Sequence, residues 1–224
     1  MNQDAREGIL NRLKSAPRNN PDARPPKPVL SETGLDREGM LERFTSELTA
    51  QTGTTYRVQS GEEALAVLAR IAAEEGLRSI IVAGKALPGM DLKAFGDREG
   101  VAVTAAPETA DREALRQAAF TADAGVTFAD FAVAETGTVG LIFRQDQPRL
   151  VSIAPPVHIA VIPVDKLHPV YEDVIGQVFG ETDHIPSQFA FITGPSATAD
   201  IQAVGFKGMH GPVKVFAIFV TGRE

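Results

Sequence analysis

The chain has 224 residues, a hydrophobic fraction of 43% and a formal net charge of −7, values typical of a globular protein with one large domain. The negative charge argues against a surface that binds nucleic acid or an anionic membrane. These residues include no cysteine, which excludes disulfides, a thiol nucleophile and cysteine-ligated iron–sulfur clusters within them. No apolar run approaches the length of a membrane span and no signal-peptide core opens the sequence, so we expect a cytoplasmic protein without a membrane partner.

The first part of the sequence, residues 1–53, is predicted to be a helical extension with a proline-rich arm. Helical patterns cover residues 5–14 and 35–50. Their apolar residues recur three or four positions apart and are Ile9, Leu10, Leu13, Leu41, Phe44 and Leu48. Between the two patterns, residues 17–28 contain five prolines, a composition that excludes a helix or a central strand.

The remaining residues, 54–224, are predicted to form an α/β domain. Apolar runs alternate with helical patterns, and polar residues seldom interrupt the runs, as in strands buried on both faces. A capping box at Ser60 and Glu63 begins one helix, which ends before Gly76. Further helices are predicted at 92–95 and 110–120, and strands at 55–58, 79–83 and 101–104. This alternation predicts a mainly parallel sheet of about six or seven strands with helices on both faces, although neither usual nucleotide-binding fingerprint occurs.

The second half of the predicted domain has shorter apolar runs separated by glycine and proline turns. Strands are predicted at 139–143, 158–162, 189–192 and 213–220. The apolar spacing over residues 166–179 predicts a helix that Gly180 ends. His158 follows two prolines, and we expect its side chain to face a cleft.

Glu135 lies in the sequence E-T-G-T at 135–138, between an apolar run and the next predicted strand. A carboxylate on a glycine-flanked turn at a strand end can act as a nucleophile, a base or a hydrogen-bond acceptor. It can equally hold the turn by accepting backbone N–H groups. Thr136, Gly137 and Thr138 complete this candidate ligand-binding turn.

The stretch at 193–212 combines glycines, prolines and hydroxyl residues between two predicted strands. A short helix is predicted at 199–204, which the preceding side chains can cap by accepting its free backbone N–H groups. The same N–H groups and the positive end of the helix dipole suit an anion, so a binding loop is the other interpretation. The candidate ligand-binding residues of this stretch are Gly194, Ser196, Thr198, Asp200, His210 and Gly211.

The four histidines have no paired spacing of the kind that metal-binding helices show, so we predict no metal site. Ligands of open α/β sheets bind outside the carboxyl ends of the strands. We therefore expect Glu135 and Gly194 to lie close together on one edge of the sheet. The expected ligand is a small anion with a carboxylate or phosphate group.

Three motifs together resemble the LUD-domain family: A-D-F-A-V-A with E-T-G-T, then G-P-S-A-T-A-D-I at 194–201, and G-M-H-G-P at 208–212. The resemblance extends from Val82 onward. It implies a Rossmann-like α/β fold related to ribose-phosphate isomerase, CoA transferases and formyltetrahydrofolate cyclo-ligase. It also implies a part in bacterial use of L-lactate, which is oxidised to pyruvate with the help of iron–sulfur partner proteins.

The resemblance leaves more than one class of function open. A chain without cysteine fits the cluster-free component of such a system, with no cofactor of its own and with a substrate, a nucleotide-like ligand or partner subunits bound to it. The alternative is an autonomous transferase-like or ligase-like enzyme that uses Glu135, because E-T-G resembles the E-x-G turn of CoA transferases. A regulatory module that binds a ligand is the third interpretation.

Overall fold

The computed structural model describes residues 3–16, 34–106, 111–180, 185–199 and 205–222. The chain divides into two compact units, Met1–Ser31 and Glu32–Glu224. In the first unit, helix α1 (Gln3–Ser15) forms as the sequence predicts. The apolar side chains of its predicted face are exposed, and they are Ile9, Leu10 and Leu13.

The second unit contains the other described helices and all the described strands. The helices are α2 (Arg37–Ala50), α3 (Gly61–Glu75), α4 (Leu92–Glu99), α5 (Arg112–Thr121), α6 (Leu150–Ile153) and α7 (Tyr171–Phe179). The strands are β1 (Thr54–Val58), β2 (Ser79–Ala83), β3 (Ala102–Ala105), β4 (Ala124–Phe128), β5 (Phe131–Val133), β6 (Thr138–Ile142), β7 (Val157–Pro163), β8 (Leu167–His168), β9 (Phe189–Ile192), β10 (Ala197–Ala199), β11 (Gly205–Lys207) and β12 (Lys214–Val220).

Six strands form the large sheet, in the order β1-β12-β7-β4-β2-β3, and every neighbouring pair is parallel. Helices α3 and α4 pack on one face, where Leu68 and Phe95 join the core of the sheet. Helices α5 and α6 pack on the other face, against Ile81 of β2. Because both faces are covered, the central strands are mostly apolar, and their polar side chains Thr127 and His158 are buried. The predicted parallel sheet with helices on both faces is confirmed.

A small mixed sheet, in the order β8-β5-β6-β9, packs on the same core as α2. Helix α2 buries Leu41, Phe44 and Leu48, the residues that the helical spacing selected. The ring of Phe44 meets that of Phe219 on β12 edge-to-face, with centroids 4.8 Å apart. Helix α2 therefore packs in the same core as the α/β sheet, although we expected it to belong to the N-terminal extension.

The prediction of one helix over residues 166–179 is wrong. A 3₁₀ turn at Val164–Lys166 leads into β8, and α7 begins only at Tyr171. Pro169 explains the break, because proline has no backbone N–H to donate and disfavours helical backbone in the residue before it. Within the described residues, none of the helices is long and apolar enough to cross a membrane.

The expectation that His158 faces a cleft is also wrong. Its side chain is fully buried in β7, beside Gly125 of β4 and Val215 of β12. The Nε2 atom lies 2.9 Å from Thr127 Oγ1, and Nδ1 has no hydrogen-bond partner among the described residues. Burial disfavours the charged imidazolium and lowers the pKa of His158 to about 4. This histidine is therefore a neutral core residue at neutral pH.

Candidate functional site

Glu135 lies in the turn between the antiparallel strands β5 and β6. Its backbone N–H donates to Pro169 O at 3.1 Å, which fixes the turn against the chain that follows β8. The Glu135 side chain is half-buried, and among the described residues its carboxylate has no hydrogen-bond partner. The carboxylate therefore does not hold the turn through the bonds described, and it remains available to a ligand.

Gly137 brings this turn into contact with α2. It adopts a left-handed φ of 61°, and a Cβ built on it would lie 2.4 Å from the backbone nitrogen of Leu48. Any side chain would overlap the helix backbone, so the turn can sit here only with glycine. The G of E-T-G-T is thus explained by packing alone, without a ligand.

Three threonine hydroxyls form a continuous chain across the end of the small sheet. The Thr136 and Thr138 hydroxyls are 2.7 Å apart, and that of Thr138 is 2.9 Å from the hydroxyl of Thr193. Antiparallel pairing of β6 with β9 places Thr138 beside Thr193. This threonine chain joins the E-T-G-T turn to the start of the 193–212 stretch, two segments that are distant in sequence.

Gly194 approaches the same end of α2. Its φ is 150°, and a Cβ built on it would lie 2.8 Å from Gln51 Cβ. The next residue of that helix-to-strand connection, Thr52, has a left-handed φ of 67°, which is uncommon for a β-branched residue. Its hydroxyl accepts a hydrogen bond from Lys207 Nζ at 2.7 Å. The turn with Gly137, the loop with Gly194 and the end of β11 with Lys207 therefore converge on the carboxyl end of α2.

We call this convergence the α2-end site; it comprises residues 135–138, 193–196 and 207 around residues 48–52. A helix carboxyl end carries partial negative charge, which by itself disfavours an anion. The Lys207 ammonium group offsets that charge, and the threonine hydroxyls can donate to an oxyanion. Thr52, Thr193 and Lys207 were not among the candidate ligand-binding residues predicted from the sequence. The signals that could have selected them are a hydroxyl directly after a strand and a lysine between two loop glycines.

Ser196 holds the glycine-rich loop that follows. Its N–H donates to Pro212 O at 2.8 Å, and its carbonyl accepts from Gly208 N at 2.9 Å. Its Oγ lies 3.4 Å from the backbone nitrogen of His210, a long hydrogen bond, and a Cβ on Gly211 would lie 3.2 Å from Ser196 Cβ. The structure thus brings Ser196, His210 and Gly211 together, with the His210 side chain exposed.

The predicted helix at 199–204 does not begin at Ala199, which instead ends the strand β10. This strand pairs with β11, so half-buried Thr198 lies opposite Phe206 in a hairpin rather than before a helix. The β-branched side chain of Thr198 suits a strand. Pairing with β11 has therefore overridden the helix-capping pattern that the sequence predicted. Asp200 and the rest of the predicted helix lie outside the described residues.

The α2-end site lies at the opposite edge of the large sheet from the one that we expected. Val213, just before β12, donates its N–H to Pro156 O, just before β7, at 2.8 Å. The loop held by Ser196 therefore adjoins the amino ends of these two parallel strands. In the small sheet, by contrast, the E-T-G-T turn follows the carboxyl end of β5, and the loop held by Ser196 follows that of β9. The rule that places ligands at the carboxyl ends of a parallel sheet does not support this site.

No group of three His, Cys, Asp or Glu side chains suited to a metal ion occurs in the portion of the chain that is described.

The parallel six-stranded sheet with helices on both faces defines a Rossmann-like α/β protein. The fold is similar to the crystal structure of a DUF162 family protein from Deinococcus radiodurans, with a TM-score of 0.60 and 21% sequence identity. That match covers 83% of this chain and 99% of the other. Residues 41–220 match the LUD domain, and the chain belongs to this family. The resemblance inferred from the three motifs is confirmed.

Curated relatives carry the name lactate utilization protein C, and the matches with two of them differ in extent. The protein from Anoxybacillus flavithermus is 35% identical over 191 residues, which cover 85% of this chain and 84% of the relative. The protein from Bacillus subtilis is 39% identical over 105 residues, which cover 46% of this chain and 44% of the relative. The first match extends over most of both chains, so similarity is not confined to one motif.

Proposed function

We propose that this chain is the cluster-free component of a bacterial system that oxidises L-lactate to pyruvate together with iron–sulfur partner proteins. The observation that carries the proposal is the similarity over 85% of the chain to a protein named lactate utilization protein C. Its 224 residues contain no cysteine and so do not fit an iron–sulfur cluster with the usual thiolate ligands. The redox step therefore belongs to the partner proteins.

The reaction balances only if another component accepts electrons. Conversion of lactate to pyruvate breaks one C–H and one O–H bond at the hydroxyl-bearing carbon and forms a C=O bond, releasing two electrons and two protons. Iron–sulfur clusters in the partner proteins would accept the electrons. This chain would contribute binding of the substrate or product carboxylate, or docking of the partners.

The α2-end site is the place that we propose for the carboxylate. Lys207 supplies a positive charge there, and the threonine chain supplies hydroxyl donors beside it. Glu135, half-buried and without a described partner, would accept a hydrogen bond from the substrate hydroxyl or take its proton. These roles rest on side-chain chemistry and on the convergence of the three segments.

Growth on L-lactate tests the proposal. Deletion of the gene should abolish growth on L-lactate and leave growth on glucose intact, and the wild-type gene should restore it. Lys207→Gln should restore growth poorly, whereas Lys85→Gln, an exposed lysine on the loop after β2, should restore it fully. Unimpaired growth of the deletion strain on L-lactate would contradict the proposal.

A double variant separates binding from folding at the neighbouring hairpin. Ser196→Ala with Thr198→Ala should weaken pyruvate binding by about 1–3 kcal/mol if these hydroxyls bond to the anion. If they serve only the loop, the melting temperature should fall while pyruvate affinity is unchanged. Calorimetric titration and thermal unfolding of the same protein samples distinguish the two results.

The unpartnered carboxylate of Glu135 favours one second candidate, an autonomous transferase-like or ligase-like enzyme. In that case the purified chain would exchange acyl groups between CoA thioesters and carboxylates without any partner. Glu135→Gln keeps the size of the side chain and removes its nucleophilicity, so it should abolish such exchange. Absence of exchange by the wild-type chain would rule this candidate out.

A further inference from the structure

A cavity of about 1170 Å³ opens at the carboxyl ends of β1, β12 and β7, away from the α2-end site. Its lining includes Gln59 after β1, Thr221 and Gly222 after β12, and Val164 after β7. Thr221 and Gly222 donate their N–H groups to the carbonyls of Val58 and Gln59 at 2.8 and 3.0 Å. These bonds continue the parallel pairing beyond the strands, so part of the lining is hydrogen-bonded backbone.

The chain leaves this edge of the large sheet in opposite directions. From β1 it enters α3, whose Leu68 packs in the core on one face. From β7 it passes through Val164 to Leu167, which pack in the core with α2 on the other face. Strand β12 lies between β1 and β7. The connections on either side of β12 therefore run to opposite faces, and open α/β sheets bind ligands in the crevice that diverging connections leave.

The cavity also has the charge for an anion. Arg37, Arg57 and Lys166 line it, against Glu38 and Asp165, so cationic side chains exceed anionic ones by one. Arg57 uses one terminal nitrogen to bond Glu38, which ties β1 to the first turn of α2. Lys166 Nζ and Asp165 Oδ2 are 3.9 Å apart, which is too long for a hydrogen bond. No ion pair of Arg37 is found among the described residues, so its guanidinium is available.

We propose that this cavity binds an organic phosphate larger than lactate. Guanidinium groups bond phosphate oxygens in pairs, and the cavity presents two of them with a lysine. Apolar side chains of Leu41, Leu87 and Val220 form the remaining wall and would contact the organic part of the ligand. The cavity volume exceeds the roughly 300–1,000 Å³ of most small-molecule pockets. A cavity of this size suits a nucleotide-sized molecule better than a three-carbon acid. The proposal rests on the fold and the cavity and does not depend on a role in lactate use.

Calorimetric titration with ADP and with inorganic pyrophosphate tests this site. Both probes should bind the wild-type chain saturably and compete with each other. Arg37→Gln combined with Lys166→Gln should weaken ADP binding at least about tenfold, because bonds to charged groups are lost. Both side chains are exposed, so the double variant should melt at the wild-type temperature.

Two controls make the test decisive. Arg116→Gln removes an exposed arginine that pairs with Glu113 on α5, outside the cavity, and should leave ADP affinity unchanged. Leu87→Trp narrows the cavity without a change of charge and should weaken ADP more than pyrophosphate. The proposal is overturned if neither phosphate probe binds saturably, or if the double variant binds ADP as tightly as the wild type. If the cavity binds L-lactate but neither phosphate probe, and the double variant weakens that binding, the proposed ligand class is wrong.

Discussion

Buried His158 should make the free energy of unfolding decrease as the pH is lowered below about 6.5. Its pKa is about 4 in the folded chain, against 6.5 for an unperturbed histidine, because burial disfavours the charge. Between these two pH values the unfolded chain binds a proton that the folded chain does not, so the free energy of unfolding falls as the pH is lowered. A difference of about 2.5 pH units corresponds to about 3 kcal/mol lost on going from pH 6.5 to pH 4.

The assay is urea denaturation of the wild type and of His158→Gln across this pH range. Glutamine does not titrate, and its amide can still bond the hydroxyl of Thr127. Subtraction of the two stability curves cancels the carboxylates that both proteins share. The wild-type curve should therefore fall by about 3 kcal/mol more than that of the variant by pH 4. Parallel curves would show that the imidazole binds a proton equally well in the folded and the unfolded chain. That result would refute the reasoning.

Two further substitutions test packing and hydrogen bonding, each by the change in the free energy of unfolding. Gly137→Ala should destabilise the chain by about 2 kcal/mol or more, because φ is left-handed and the Cβ would overlap the backbone of Leu48. Gly176→Ala, in the open interior of α7, should be neutral or stabilising by up to about 1 kcal/mol, and equal effects of the two would contradict the packing. Asp123→Ala should cost about 1–3 kcal/mol, because its carboxylate accepts from the backbone N–H and hydroxyl of Ser79. An unchanged midpoint of denaturation would contradict that prediction.

The large sheet was predictable because its central strands carry their own signal. Residues 79–83 are an unbroken apolar run with one polar residue at its start, and they form β2 with the expected bounds. The start of α3 was also predictable from neighbouring residues, because Glu63 N donates to Ser60 Oγ at 3.2 Å as in a capping box. In a capping box the Glu63 side chain would accept from the backbone N–H of Ser60. Here Glu63 Oε2 accepts instead from the N–H of the preceding residue, Gln59.

The small sheet and its loops were less predictable because their pairing is tertiary. Strands of two or three residues, such as β8 and β10, depend on the strands with which they pair. Thr198 illustrates the difficulty, because its spacing from Ser196 suits a helix cap as well as a hairpin. The break at Pro169, by contrast, was visible in the sequence and should have ended the predicted helix.

The candidate site was predictable only in part. The E-T-G-T turn and Gly194 were selected by residue type, and both contact the carboxyl end of α2. The role of α2 itself was missed, because a helix assigned to an extension was not expected to border a site. The cavity at the carboxyl ends was missed as well, since its lining comes from three strand ends and one helix start that no local motif connects.

Reconstitution of lactate oxidation tests the central proposal most directly. The measurement is L-lactate-dependent reduction of a redox dye by this chain alone, by its iron–sulfur partner proteins alone, and by the mixture. The proposal predicts no visible cofactor spectrum and no dye reduction for the purified chain, and full activity only when it is combined with the partners. Dye reduction by the chain alone, or full activity of the partners without it, would contradict the proposed function.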